Sequence, residues 1–186
     1  FKKPVEMKIF AWGGDRDTVL SPWDSIKYMK SIYQAGLLSV EPQTGFIKAW
    51  VGGVDFRHFK YDAVRQGRRQ VGSTFKPFVY AAAIADKKYS PCMQVPNIQT
   101  CIEAGQYGLA ETWCPSNSDA KYGGVLTIKE ALAGSVNTVT TYLMKQIGPA
   151  PVVQLARNLG VTSDIPVVPS IALGTVDMSI YELVGA

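Results

Sequence analysis

The stretch from Gly72 to Ala85 constrains the fold of this chain more than any other part of its sequence. It opens as Gly72-Ser73-Thr74-Phe75-Lys76-Pro77-Phe78 and stays apolar as far as Ala85. The apolar run is far shorter than the roughly 20 residues that cross a bilayer, so it predicts a buried helix around which other elements pack. Ser73 and Lys76 stand three positions apart at its start, and such positions share one face of a helix.

A serine beside a lysine points to nucleophilic chemistry, because the amine can take the proton of the hydroxyl. The chain has a single histidine, His58, so few Ser-His-Asp arrangements are open to it. Burial of the Lys76 stem would lower the pKa of its amine towards the working pH of a base. Pro77 removes a backbone donor and disfavours helix at Lys76, a local conflict that often marks an active site. The competing interpretation is an ordinary helix start with a lysine that reaches solvent.

A second polar cluster, Ser135-Val136-Asn137, falls between two predicted helices. The first begins with a capping box, Thr127–Glu130, and ends at Gly134, and the second covers Thr138–Ile147. In this break Ser135 is a candidate proton relay between a base and a leaving amine, and Asn137 is a candidate for binding a substrate amide. The alternative is that Asn137, or the threonine after it, only caps the second helix.

The stretch Ser90–Gly124 is rich in Pro, Gly, Asn, Ser and Cys and predicts a long ordered loop. It holds a second S-x-x-K, from Ser118 to Lys121, but no apolar periodicity that would fix both side chains on one face. Its three cysteines fit no zinc pattern. One disulfide is expected if the chain folds outside the cytoplasm. The two pairings that stay open are Cys92–Cys101 and Cys101–Cys114.

The composition is that of a globular chain rather than a disordered one. Its 186 residues are 47% apolar and 18% charged, enough for one domain or slightly more. The net charge is +4, and the densest basic cluster is Arg65, Arg68 and Arg69. No aromatic platform or nucleic-acid motif accompanies this cluster, so we interpret it as a solvated loop and expect no nucleic-acid partner.

Besides helices, the sequence predicts one hairpin. Leu37–Glu41 and Phe46–Val51 are β-rich runs on either side of a turn. Upstream, Val5–Trp12 predicts a strand, and Ser21 is the expected N-cap of a helix over Pro22–Ala35. Because an isolated two-stranded hairpin is marginal, we expect most of its sheet to come from residues beyond this chain.

S-x-x-K followed by S-x-N about sixty residues later is far more specific than either motif alone. The stretches around both motifs resemble bifunctional, class A penicillin-binding proteins, well over residues 35–186 and loosely before that. The stretches that carry the resemblance are Arg68–Phe78, Glu41–Gly45 with Val51–Gly53, Ala133–Thr138 and Ser170–Gly174.

The resemblance implies an α+β fold of the serine β-lactamase/transpeptidase type, with a helical cluster packed on an antiparallel sheet. Residues 36–186 would be the N-terminal part of the transpeptidase domain, and residues 1–35 a linker-proximal region that leads into it. The third motif of the family, K-T-G, is absent from the chain. In the family it supplies a cation for the substrate carboxylate and a second oxyanion donor. We therefore expect the C-terminal strands to be missing and the isolated chain to be inactive.

The function implied by the resemblance is that of a peptidoglycan D,D-transpeptidase, which cross-links stem peptides through a serine acyl-enzyme and is acylated by β-lactams. Ser73 would be the nucleophile, Lys76 its base and Ser135 the proton relay, while Asn137 would steady the donor peptide and the Lys76 amine. No metal or other cofactor is implied. The partners would be stem peptides and β-lactam antibiotics. The parent protein would also carry a glycosyltransferase domain and an N-terminal membrane segment, at the outer face of the bacterial cytoplasmic membrane.

Two other functions stay open. One is a D,D-carboxypeptidase or a β-lactamase-like hydrolase. Class A β-lactamases need a glutamate to activate water, and the only glutamate after Asn137 is Glu182, outside any E-x-x-L-N pattern. The other is a non-catalytic penicillin-binding sensor module on the same fold.

Overall fold

Two antiparallel hairpins and one helix form the first of the two units into which the chain divides, Phe1–Gln66. The computed structural model describes residues 1–186. The elements of this unit are β1 (Val5–Ile9) paired with β2 (Arg16–Leu20), α1 (Pro22–Lys30), and β3 (Leu37–Val40) paired with β4 (Ile47–Val51). The predicted hairpin of β3 and β4 is confirmed.

Two details of the first unit differ from the sequence prediction. The strand β2 was not predicted, because its residues lack apolar alternation and become a strand only by pairing with β1. The helix α1 begins as predicted, with the Ser21 hydroxyl accepting from the Asp24 N–H at 3.1 Å. It ends at Lys30 rather than Ala35. Tyr33 therefore lies outside the helix and is 92% exposed.

The second unit, Gly67–Ala186, is built around the helix that the apolar run predicted. A 3₁₀ turn over Gly72–Phe75 leads directly into α2 (Lys76–Lys87). The helix packs against α4 (Asn137–Ile147) and α5 (Pro149–Asn158). The buried side chains of this core include Phe75, Val79, Ala83, Val139, Leu143, Met144 and Val152. Each buried aliphatic side chain contributes about 1.5–3 kcal/mol, so this core stabilises the unit around α2.

Short elements complete the second unit. They are β5 (Arg68–Gln70) paired with β8 (Asp177–Ser179), β6 (Gln94–Pro96) paired with β7 (Val125–Thr127), α3 (Ile128–Ala133), 3₁₀ turns over Gln106–Gly108 and Pro169–Leu173, and α6 (Ile180–Gly185). Arg68 and Arg69 thus lie in a strand, although the sequence predicted a loop there. No helix is both long and apolar enough to cross a bilayer.

The loop between β6 and β7 is cross-linked. Cys101 and Cys114 form a disulfide, one of the two pairings that the sequence left open, and Cys92 is free and exposed. Inside the cross-link, Ile102 and Trp113 pair as an isolated antiparallel bridge. The predicted long loop is therefore ordered, and its structure comes from pairs of residues far apart in sequence.

Candidate active site

Ser135 occupies a backbone position that helices usually give to glycine. At the end of α3, the Val136 N–H donates to the Ala131 carbonyl at 2.9 Å and the Ser135 N–H to the Leu132 carbonyl at 3.0 Å. This pair of bonds requires a left-handed residue after the C-cap. That residue is Ser135, with φ of +52°, whereas Gly134 is right-handed. A non-glycine residue in this conformation costs about 1–2 kcal/mol.

The strained turn directs two oxygen atoms of Ser135 at the amine of Lys76. Nζ donates to the Ser135 carbonyl at 2.5 Å, and it lies 2.9 Å from Ser135 Oγ and 2.7 Å from Asn137 Oδ1. Three acceptors match the three N–H bonds of an ammonium group. Of the three, only the hydroxyl can also donate. A neutral amine would therefore accept its hydrogen bond from Ser135.

Lys76 is 1% exposed, whereas Ser135, whose oxygens its amine contacts, is exposed at the surface. Burial lowers the pKa of Lys76 from 10.5 to about 8. The partners of the amine are neutral oxygens, so no carboxylate among them restores the proton affinity. At neutral pH about one amine in ten is therefore unprotonated, which is the form that a base needs.

Asn137 is not the cap of its helix. The N-cap of α4 is Val136, which has no capping side chain. The Asn137 amide directs Oδ1 to the lysine amine and donates from Nδ2 to the Ser116 carbonyl at 2.8 Å. The capping bond comes instead from Asn117 in the loop, whose Oδ1 accepts from the Thr138 N–H at 3.1 Å. The alternative interpretation, a local cap by Asn137 or Thr138, is wrong, because a side chain from a distant loop occupies that position.

Ser73 lies on the 3₁₀ turn before α2 with its side chain exposed. It makes no side-chain hydrogen bond, and the Lys76 amine is bonded to the other two predicted site residues instead. A residue far along the chain holds this turn in place, because the Gly72 N–H donates to the Gly174 carbonyl at 3.0 Å. A Cβ atom on Gly174 would overlap the Gly72 carbonyl, so this contact tolerates only glycine.

The structure thus brings Lys76, Ser135 and Asn137 together and places Ser73 one turn before the lysine. The second S-x-x-K does not join them, because Ser118 and Lys121 lie in an exposed, irregular part of the loop. The sequence prediction missed the Ser116 carbonyl and the Asn117 amide. Neither has a local sequence signal, since an Asn in a polar loop is common and a backbone carbonyl has no residue type.

Residues 35–168 match the family described as the penicillin binding protein transpeptidase domain. The chain belongs to this family. Residues 1–33 match a second family, described as the penicillin-binding protein middle domain. The two motifs of the candidate site both lie inside the range that matches the transpeptidase family.

Known penicillin-binding proteins are similar to most of this chain. Penicillin-binding protein 1A of Neisseria lactamica is 37% identical over 145 residues, which make up 77% of this chain and 18% of the relative. Penicillin-binding protein 2D of Bacillus subtilis is 34% identical over 156 residues, or 82% of this chain and 22% of the relative. The chain therefore spans about a fifth of these relatives.

The crystal structure of penicillin-binding protein 1A from Haemophilus influenzae is similar over 81% of this chain and 22% of that protein, with a TM-score of 0.71 and 25% identity. The predicted α+β fold of the serine β-lactamase/transpeptidase type is confirmed.

The carboxylate of Glu182, the glutamate considered above for activating water, is fully engaged in structural hydrogen bonds. It accepts hydrogen bonds at 2.7 Å from the hydroxyls of Thr162 and Ser163 and at 2.9 Å from that of Ser179. Burial alone would raise the pKa of Glu182, but these hydrogen bonds outweigh it and hold the pKa well below its usual range. The glutamate joins α6 to the loop after α5, and it offers no free oxygen to a deacylating water.

Proposed function

We propose that this chain carries the acylation centre of a peptidoglycan D,D-transpeptidase. Ser73 is the nucleophile, Lys76 the base and Ser135 the proton relay, while Asn137 orients the amine and binds the donor peptide. The observation that supports this assignment is the buried Lys76 amine, bonded to the Ser135 hydroxyl and the Asn137 amide oxygen. Burying an amine without a carboxylate partner is unfavourable for folding. The same burial lowers the pKa of the amine towards neutral pH, which a general base requires.

The first half of the proposed reaction uses these residues in turn. The neutral Lys76 amine takes the proton of Ser73 Oγ as that oxygen bonds to the carbonyl carbon of the penultimate D-Ala. Ser73 has no hydrogen-bond partner, so its rotation towards the amine breaks no bond. The tetrahedral intermediate collapses, and the C–N bond to the terminal D-Ala breaks. The leaving nitrogen receives the proton from Lys76 through Ser135 Oγ.

The second half runs in the opposite direction. An amine of a neighbouring stem peptide attacks the Ser73 ester and loses its proton through Ser135 to Lys76, and the C–O bond to Ser73 breaks as Oγ regains a proton. A β-lactam acylates the same serine by opening its amide bond. Its amine stays attached to the acyl group, so the acceptor is kept out.

The proposal extends to the natural protein that contains this chain. Residues 36–186 belong to its transpeptidase domain, and residues 1–35 lead into that domain. By likeness to bifunctional penicillin-binding proteins, the same polypeptide carries a glycosyltransferase domain and is anchored by a membrane segment. Its partners are stem peptides and β-lactam antibiotics at the outer face of the cytoplasmic membrane.

Mapping of a fluorescent-penicillin adduct on the full-length natural protein tests the assignment. We expect the label on the peptide that contains Ser73 and its loss in Ser73→Ala. Ser118→Ala is the matched control, since it alters the other S-x-x-K, and it should label like the wild type. An adduct on Ser118, or one that survives Ser73→Ala, would refute the assignment. Transfer to an acceptor amine distinguishes a transpeptidase from a hydrolase, and acylation without turnover would indicate a sensor.

A further inference from the structure

A buried asparagine in the loop between β6 and β7 holds the start of α4. Asn117 is 8% exposed, and both ends of its amide are used. Oδ1 accepts from the Thr138 N–H at 3.1 Å, and Nδ2 donates to Asn97 Oδ1 at 3.0 Å and to the Lys121 carbonyl at 2.7 Å. The Thr138 hydroxyl donates to the same Asn97 oxygen at 2.7 Å. The loop thereby supplies the cap that the helix's own sequence lacks.

The residue next to this anchor orients the amide of Asn137. The Ser116 carbonyl accepts from Asn137 Nδ2 at 2.8 Å, which leaves Oδ1 to face the Lys76 amine at 2.7 Å. An amide turned end for end would place its NH₂ against the NH₃⁺ of the lysine, with donors on both sides. Ser116 and Asn117 are adjacent, so the three hydrogen bonds of the Asn117 amide restrict where the Ser116 carbonyl can lie.

We propose that Asn117 is a positioning residue of the acylation centre, which holds the Ser116 carbonyl against Asn137 so that the amide oxygen faces Lys76. The inference rests on the proposed function of that centre. Asn117 touches none of the reacting groups and acts through Asn137. The asparagine that caps the helix and the asparagine that serves the lysine are therefore two different residues, and the cap does not compete with the site for one amide.

The other end of α4 provides a matched control. There Tyr107, from the same loop, donates its hydroxyl to the Lys145 carbonyl at 2.9 Å, and Lys145 Nζ donates to the Cys101 carbonyl at 2.7 Å. Tyr107→Phe removes one bond between the same loop and the same helix. It leaves the contacts of Ser116 and Asn117 in place.

Acylation by a fluorescent penicillin, followed over pH in the full-length natural protein, tests the inference, with thermal unfolding of each variant alongside. We expect Asn117→Ala to slow acylation by at least about tenfold. The midpoint of its pH profile should move in the same direction as in Asn137→Ala. Asn117→Asp keeps the acceptor for the Thr138 N–H but sets an oxygen against the Asn97 and Lys121 oxygens to which Nδ2 donates. It should therefore also acylate more slowly than the wild type, by at least about threefold. Tyr107→Phe should keep the wild-type rate and midpoint.

The double variant Asn117→Ala/Asn137→Ala should be no slower than Asn137→Ala alone, because one residue acts through the other. Additive losses, or a wild-type rate and pH profile in Asn117→Ala, overturn the inference. If Asn117→Ala does not fold, a folded Asn117→Asp with the wild-type rate and pH profile overturns it instead. Ser73→Ala in the same assay keeps the two proposals apart, because label that persists there refutes the proposed function itself.

Discussion

The buried Lys76 amine faces only neutral oxygens, so burial determines its titration. With a pKa of about 8, the unprotonated fraction rises about tenfold per pH unit below that value and levels off above it. We expect the first-order rate of penicillin acylation to rise with pH in the same way, with its midpoint near pH 8. Rapid-mixing measurements across this range on the full-length natural protein, which is also used for the acylation tests below, provide the check. A rate independent of pH there would exclude Lys76 as the base.

Ser135 combines a strained backbone with the hydroxyl that meets the amine, and two substitutions separate these features. Ser135→Gly relieves the left-handed strain and removes Oγ, whereas Ser135→Ala removes Oγ and keeps the strain. We expect the free energy of unfolding of the glycine variant to exceed that of the alanine variant by up to about 1–2 kcal/mol. The glycine variant should therefore also unfold at the higher temperature. Both should acylate at least about a hundredfold more slowly than the wild type. Wild-type acylation in either variant would remove Ser135 from the proton path.

Among the elements, the 3₁₀ turn that carries Ser73 is hydrogen-bonded to the end of the 3₁₀ turn over Pro169–Leu173, about a hundred residues later. Gly174→Ala adds a Cβ against the Gly72 backbone and should destabilise the fold by about 1–3 kcal/mol beyond the conformational strain. It should also slow acylation, because Gly72 precedes Ser73. Gly124→Ala is the control, since Gly124 also has φ of +71° but nothing within 4 Å of an added Cβ. Urea unfolding and penicillin labelling that show equal losses in both variants would contradict this view.

Over the whole molecule, the four proposed site residues all lie in the second unit, Gly67–Ala186, and so does the disulfide. The Cys101–Cys114 bond closes a segment with a sequence separation of 13. Closing a loop of roughly 15 residues stabilises a fold by about 3 kcal/mol. We therefore expect reduction to lower the unfolding free energy by about that amount.

Thiol titration checks the pairing in protein exported to an oxidising compartment. One thiol, Cys92, should react before reduction and all three cysteines after it. Cys92→Ser should leave no reactive thiol and an unchanged unfolding free energy, because Cys92 is exposed. Three reactive thiols in the non-reduced protein would exclude the disulfide.

Elements whose ends are made by near neighbours could be predicted from the sequence. The Ser21 cap, the Thr127–Glu130 capping box and the β3–β4 hairpin each depend on residues within a few positions, and each lies where it was predicted. The family also followed from the sequence, since S-x-x-K and S-x-N are short motifs within single turns. The strand β2 could not be predicted in this way, because it exists only through its partner.

Which atoms of the candidate site meet depends on the folded arrangement of the whole unit. Ser135 and Asn137 were named from the sequence, but their bonds to Lys76 span 59 and 61 residues. The capping bond, which the Thr138 N–H donates to Asn117 Oδ1, spans 21 residues and replaces the local cap that was the alternative interpretation. The physical reason is that such contacts close long loops, whose entropic cost is met by packing of the whole unit rather than by any local pattern.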